Sequence, residues 1–294
     1  MHGRLTGVTS TLPRIRVAAR LAPAPVWIAG LAFLFLFWRP MTTLAQDWWS
    51  NPDAGQGLLL FPVALYLAWR RGWAPDAAPQ PAAGLLLLAG AVVLRYLSGL
   101  AAELFTMRLA LLAAVVGLVV YRRGLRQVAH WWLPLLLLLF SIPLPVVVVG
   151  SLALPLQLKA SQLGAVLLRW RHVPVVVAGN VIHLPGRSLF VTEACSGLRS
   201  LTALISLGLL IGGLWLRSTW GRWLLVASAI PVAMALNAVR VFLTGFLVFF
   251  VSPSLAEGVM HYTEGWTLFV VAFAILGGAA WVLSRLERPR PAAT

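Results

Sequence analysis

Long apolar runs separated by short arginine-bearing breaks dominate the chain, and run lengths near twenty residues predict membrane-spanning helices. A polar tail over 1–22 carries Arg4, Arg14, Arg16 and Arg20. The first apolar run then goes from Val26 to about Trp38, reaching towards Ala45. Further runs predict spans over about 54–69, 83–98, 104–121, 131–150, 197–216, 223–250 and 265–284, giving eight spans. The third and fourth form a hairpin turning near Ser98-Gly99, and Pro143 and Pro145 interrupt the fifth. Residues 151–171 are apolar but hold Pro155, Lys159 and Gln162, a pattern that predicts an interfacial or re-entrant helix. Three short pieces, 173–180, 181–186 and 189–191, read as strands broken by turns. The loop 252–264 carries Glu257, His261, Tyr262 and Glu264. The pattern predicts an all-α polytopic membrane protein with a small strand-like outer segment near 173–191. It is organised as a basic tail (1–22), a transmembrane domain (23–284) and a second basic tail (285–294). Thr43-Leu44-Ala45 loosely resembles a signal-cleavage site, but the preceding basic region is long, so an uncleaved first span is expected.

Composition agrees with the pattern. Hydrophobic residues make up 60% and charged residues 11%, which excludes an ordinary soluble domain. The net charge of +15 comes from arginines gathered in inter-span loops: Arg70/Arg71, Arg122/Arg123/Arg126, Arg217/Arg222 and Arg285/Arg288/Arg290. That placement is topological and argues against a nucleic-acid partner. With both termini in the cytoplasm every inner loop is basic. Arg169, Arg171 and Arg187 then fall outside and count against the assignment. Asp47-Trp48-Trp49 suits an outer headgroup layer. Arg95, Glu103 and Arg108, near the hairpin turn, either pair and snorkel at the outer interface or line a substrate groove.

Chemistry enters at Val191-Thr192-Glu193-Ala194-Cys195-Ser196-Gly197-Leu198-Arg199, which holds the single cysteine. One cysteine excludes an intramolecular disulfide and any multi-cysteine metal site, and no cofactor or metal is expected. A lone cysteine in an apolar chain is commonly a small buried hydrophobe. At the start of a helix, however, the dipole and free N–H groups favour a thiolate. The expected topology brings Arg240, about 17 residues up the seventh span, and His261, in the next outer loop, to the same face. Arg240 either snorkels, pairs with Glu193, or serves the site. Thiolate, imidazole and guanidinium together suit acyl transfer: attack on a carbonyl, proton movement, and stabilisation of negative charge. Arg199, four residues beyond Cys195, is expected to share its helical face.

At these residues the chain resembles the exosortase/archaeosortase family. The nucleophile motif looks like Glu193-Ala194-Cys195-Ser196-Gly197-Leu198-Arg199, the arginine motif like Asn237-Ala238-Val239-Arg240, and the histidine position like His261 before Gly265-Trp266. Supporting matches are Ile142-Pro143-Leu144-Pro145, Val173-Pro174, Gly179-Asn180, Leu184-Pro185-Gly186 and the region Asp47–Arg71, so the resemblance covers roughly 47–284. It implies a membrane cysteine endopeptidase/transpeptidase acting at the outer face of the cytoplasmic membrane. Cys195 would be the nucleophile, Arg240 the charge stabiliser and His261 the acid/base, with Glu193, Arg199 and Asn237 as supporting neighbours. It also implies exported protein substrates with a C-terminal signal: a Pro-Glu-Pro type motif, a transmembrane helix and a basic cluster. Water, a lipid amine and a glycan amine all remain open as the group that resolves the thioester. Gly55-Gln56-Gly57 stands where the family usually carries a Ser-His-Gly-like motif, so that histidine is missing. No further soluble domain is expected after the last span. Two readings from other classes compete: a non-enzymatic component of polysaccharide export, and a lipid-linked acyltransferase.

Overall fold

The computed structural model describes residues 24–51, 53–191, 197–251 and 259–287. The chain divides into two compact units, Met1–Arg39 and Pro40–Thr294. Helix α1 (Ala24–Ser50) runs through the division at Pro40. All other described elements belong to the second unit. They are α2 (Gly57–Arg71), α3 (Pro81–Leu100), α4 (Leu104–Arg123), α5 (Leu125–His130), α6 (Trp132–Phe140), α7 (Val146–Trp170), β1 (Val176–Ala178), β2 (Val181–Leu184), β3 (Arg187–Phe190), α8 (Leu198–Trp215), α9 (Thr219–Phe250) and α10 (Val259–Leu286). The protein is an all-α polytopic membrane protein with one small sheet. Seven helices among the described residues are long and apolar enough to cross a membrane: α1, α3, α4, α7, α8, α9 and α10. Leu86, Val93, Trp170 and Phe273 are exposed on them, as a lipid-facing surface requires.

The sequence predicts eight spans, and two of them differ. The span expected at 54–69 is α2, whose 15 residues cover about 22 Å against a hydrocarbon core of about 30 Å. The span expected at 131–150 is divided: α6 stops at Phe140, and a new helix starts at Val146. Pro143 and Pro145 explain the break, because each lacks an N–H and disfavours helix in the residue before it. The segment 151–171, expected as an interfacial or re-entrant helix, is helical and begins earlier, at Val146, as one 25-residue helix whose length and composition place it among the seven.

Two ends of the bundle collect different chemistry. At one, Arg71 and Arg222 both stack on Trp132, and Arg123 lies over Trp73, whose ring packs on Trp131. Glu287, just past α10, accepts from the backbone N–H groups of Arg217 and Ser218 there. Burial pushes its carboxyl up, but those donors and Arg222 outweigh it and hold it below the usual carboxylate value. At the other end, Arg108 is 3% exposed and donates to the Asp47 carboxylate at 2.7 Å and to the Thr43 carbonyl at 3.0 Å. Glu103 caps α4 by accepting from Phe105 N and Thr106 N, as an N-cap acid should. Between the ends, α2 and α6 pack antiparallel through Leu60, Ala64, Leu67, Leu133 and Leu137, joined by Leu209 of α8.

The three strands form an antiparallel meander, β1-β2-β3, with Ile182 opposite Val177 on one side and Leu189 on the other. The strand-like pieces read from the sequence are thus real, and the turns fall at Gly179-Asn180 and Pro185-Gly186. Ile182 and Leu184 bury against Ala165 and Leu168 of α7 and Val241 of α9. The 32 residues of α9 cover about 48 Å, which exceeds the hydrocarbon core by a margin that fits the sheet packed on its second half.

Candidate functional site

Helix α8 begins at Leu198, and Gly197 before it has φ +80°, the left-handed region where glycine alone is unstrained. A Cβ at Gly197 would also lie 2.9 Å from Cγ of Asn237. Two separate constraints therefore require glycine here, and the second shows how closely the start of α8 sits on α9. Asn237 is buried (6% exposed) and faces this contact. The Gly197 carbonyl accepts from Leu201 N and Ser200 Oγ, closing the first turn of α8.

Cys195 and Glu193 lie outside the described residues, but both flanks of their stretch are fixed. On one side Val191 is 1% exposed, within the apolar cluster beneath the sheet. Its N–H donates to the Asn180 carbonyl at 2.9 Å, and its carbonyl accepts from Asn180 Nδ2 at 3.2 Å. The same Nδ2 reaches Gln157 Oε1 on α7 at 3.4 Å. On the other side Gly197 rests on Asn237 of α9. Five residues, 192–196, join these points.

Arg240 follows Asn237 by three residues, so the two side chains leave one face of α9, about 4.5 Å apart along its axis. Arg240 is half-buried, and its carbonyl accepts from Thr244 Oγ1. It stands 21 residues beyond Thr219, roughly 31 Å along the helix, which matches the far edge of a hydrocarbon core. His261 falls inside α10 rather than in the loop expected at 252–264, because helix begins at Val259. Its side chain lies outside the described residues. The Glu287 contact with Ser218 sets the relative height of α10 and α9. Counting back from it at about 1.5 Å per residue along antiparallel helices puts the His261 backbone about level with Thr244.

Helix α8 starts at Leu198 after a left-handed residue, and the expected shared face of Arg199 and Cys195 lies outside the described residues. Arg199 Nε donates to Asp53 Oδ1 at 2.6 Å, an exposed pair tying α8 to the loop after α1. Nothing local in the sequence points to Asp53, which is 146 positions away. Gln56, where the family-like histidine is missing, accepts from Thr202 Oγ1 at 3.5 Å and donates to the Phe140 carbonyl at 3.4 Å. That position therefore borders the start of α8.

A narrow groove opens beside Gly197, lined by Leu156, Lys159 and Leu163 of α7, Leu201 of α8, and Met234 and Asn237 of α9. Lys159, the only lysine in the chain, is exposed along it. In the sequence Lys159 interrupts an apolar run, and its being the sole lysine is the signal that marks it. Among the described residues no group of His, Cys, Asp and Glu is placed to hold a metal ion.

The chain was compared with known families, curated proteins and solved structures. No curated protein and no solved structure matches it. The transmembrane exosortase family model matches residues 48–278. That match takes in the sheet, α7 to α9 and most of α10, and with it every candidate residue discussed above, so this chain belongs to the transmembrane exosortase family.

Proposed function

We propose that this exosortase is a cysteine endopeptidase/transpeptidase that cleaves the C-terminal sorting signal of exported proteins through a thioester on Cys195. One observation carries the reading. The two flanks of the cysteine-bearing stretch are held on α7 and α9, and Gly197 rests on Asn237, one helical turn from Arg240. The Cys195 thiolate attacks the scissile carbonyl carbon, and the C–N bond breaks as His261 protonates the leaving amine. Water or an amine then attacks the thioester and frees the thiolate. Arg240 stabilises negative charge, first on sulfur and then on the carbonyl oxygen. Glu193 and Asn237 hold these groups in place, and Arg199 braces the start of α8 through Asp53. The substrates would carry a motif, a transmembrane helix and a basic cluster.

The reaction belongs on the outer face of the cytoplasmic membrane, with both termini inside. Support comes from the collection of Arg71, Arg123, Arg217 and Arg222 at the end opposite Asp47, Asp53 and Gly197. Reporter fusions after Gly186 should signal outside and fusions after Arg217 inside. Reversal of both would put Cys195 in the cytoplasm and defeat this placement. The functional test is substrate processing in cells. Cys195→Ala should abolish it while the protein still inserts, and Cys195→Ser should be nearly as poor because a hydroxyl is far less acidic than a thiol. Processing at the wild-type rate by the alanine variant would exclude the cysteine as nucleophile.

A further inference from the structure

We infer a site for an anionic phospholipid at the basic end of α4, away from the cysteine-bearing stretch. A cavity of about 670 Å³ opens there, lined by Trp73, Pro79, Leu118, Val119, Arg122 and Arg123. Its chemistry is divided by depth. The 20 residues of α4 cover about 30 Å, the thickness of a hydrocarbon core. With α4 crossing the membrane, Leu118 and Val119 lie among acyl chains, and Arg122 and Arg123 reach the headgroup layer one turn later. Trp73 forms the facing wall and holds one of the cations in place: the Arg123 guanidinium lies 4.6 Å from its ring centre, and that ring packs on Trp131 at 5.1 Å. The nearest acid in the adjoining loop, Asp76, is matched to Arg126 at 3.8 Å. No ion pair among the described residues uses Arg122 or Arg123.

Two cations above an apolar slot fit one kind of occupant, a molecule with a negative headgroup and a hydrocarbon chain. A free anion would leave the Leu118–Val119 wall unused, and a neutral chain would leave the arginines uncompensated. A phospholipid of net negative charge meets both demands: its phosphate lies between Arg122 and Arg123, and one acyl chain runs down past Val119 and Leu118. Bound there, it fills the space between α4 and the loop over 72–80.

Native mass spectrometry of the full chain in detergent tests this with phosphatidylglycerol, phosphatidylcholine of the same acyl chains, and inorganic phosphate. The wild type should hold one phosphatidylglycerol, bound at least tenfold more tightly than phosphatidylcholine, and inorganic phosphate should not displace it. The Arg122→Gln/Arg123→Gln variant should bind it roughly 30-fold more weakly, from the usual gain per basic residue at an anionic surface. Val119→Trp, which fills the slot and keeps both arginines, should lose the adduct as well. Arg217→Gln/Arg285→Gln removes the same charge from the same end and should leave affinity within about twofold. Equal weakening in that control would mean general surface attraction. Displacement by inorganic phosphate would mean an anion site with no lipid chain. Equal affinity for phosphatidylcholine would mean no recognition of charge. Any of these results overturns the assignment.

Discussion

The α3–α4 hairpin and the α7–α9 region both place charged side chains near one end of the bundle, but they use them differently. In the hairpin the charges are consumed by the fold. Arg108 is buried against Asp47, and Glu103 closes the start of α4. Burial raises the Glu103 carboxyl, but the Thr106 and Phe105 donors and the Arg108 charge together hold it below the ordinary range. In the α7–α9 region the polar groups are arranged around an interruption. A left-handed glycine precedes α8, a buried asparagine lies against it, an arginine follows one turn on, and a lysine lines the groove alongside. The hairpin charges are matched by named neighbours. The α7–α9 polar groups lie beside the break before α8, where the proposed substrate backbone would approach.

This contrast predicts opposite outcomes for Arg240 and Arg108. Arg240→Ala should slow processing by about a hundredfold or more, the usual cost of losing one group that stabilises a developing oxyanion, with little loss of folded protein. Arg240→Lys keeps the charge and loses the planar fork, so it should retain a lowered Cys195 alkylation pKa yet lose most processing. Intact processing and an unchanged alkylation profile in Arg240→Ala would make Arg240 structural like Arg108. His261→Ala should fall in a similar range, about 10²–10⁴-fold, while substrate association holds. Normal processing by His261→Gln would remove it from the site.

Arg108→Ala should do the reverse. It leaves the Asp47 carboxylate without its partner in a site where Arg108 is 3% and Asp47 32% exposed. A fully buried pair would cost about 3–5 kcal/mol to break, so roughly 1–3 kcal/mol is expected once partial exposure is allowed for. The melting temperature should fall, and processing per folded molecule should stay near wild type. A loss of processing without loss of stability would move Arg108 to the substrate path.

Gly197→Ala tests the junction before α8. The left-handed backbone alone costs about 1–3 kcal/mol for a non-glycine residue, and the contact with Asn237 adds to it. Processing should drop more than stability does, because the strain falls beside the cysteine. Gly197→Ala with wild-type activity would show that this junction does not position the nucleophile. Arg199→Gln should matter least, since the Asp53 pair is exposed and such pairs contribute about 0–1 kcal/mol. Acid sensitivity follows from Glu103 and Glu287. Both carboxyls are held below their ordinary value of 4.5, so each stabilises the fold above that pH and loses the contribution as pH falls through the lowered value. Replacing both with glutamine should lower stability near neutrality and remove the further loss of stability below about pH 4.5.

The hairpin was readable because its signals are local. Apolar runs over 83–98 and 104–121 give helices at Pro81–Leu100 and Leu104–Arg123, differing by two residues at three ends and agreeing at Leu104. The strands were readable for the same reason, through Gly179-Asn180 and Pro185-Gly186. The fifth span, read as interrupted by Pro143 and Pro145, is divided there into two helices, because hydropathy continues through the prolines although backbone hydrogen bonding does not. At the site, the order of cysteine, arginine and histidine was legible as a motif, and so was Asn237 beside Arg240. The Asp53–Arg199 pair and the groove along Lys159 were not, because both depend on how distant helices pack.

The most direct test is to find what becomes attached to Cys195 during turnover. Substrate would be mixed with the wild-type enzyme in membranes, quenched in acid, digested and searched by mass spectrometry for the Cys195 peptide. A thioester should join that peptide to the new C-terminus of the cleaved substrate, be released by hydroxylamine, and form more slowly in His261→Ala. Substrate cleaved at the normal rate while the Cys195 peptide stays unmodified at every time point would contradict it.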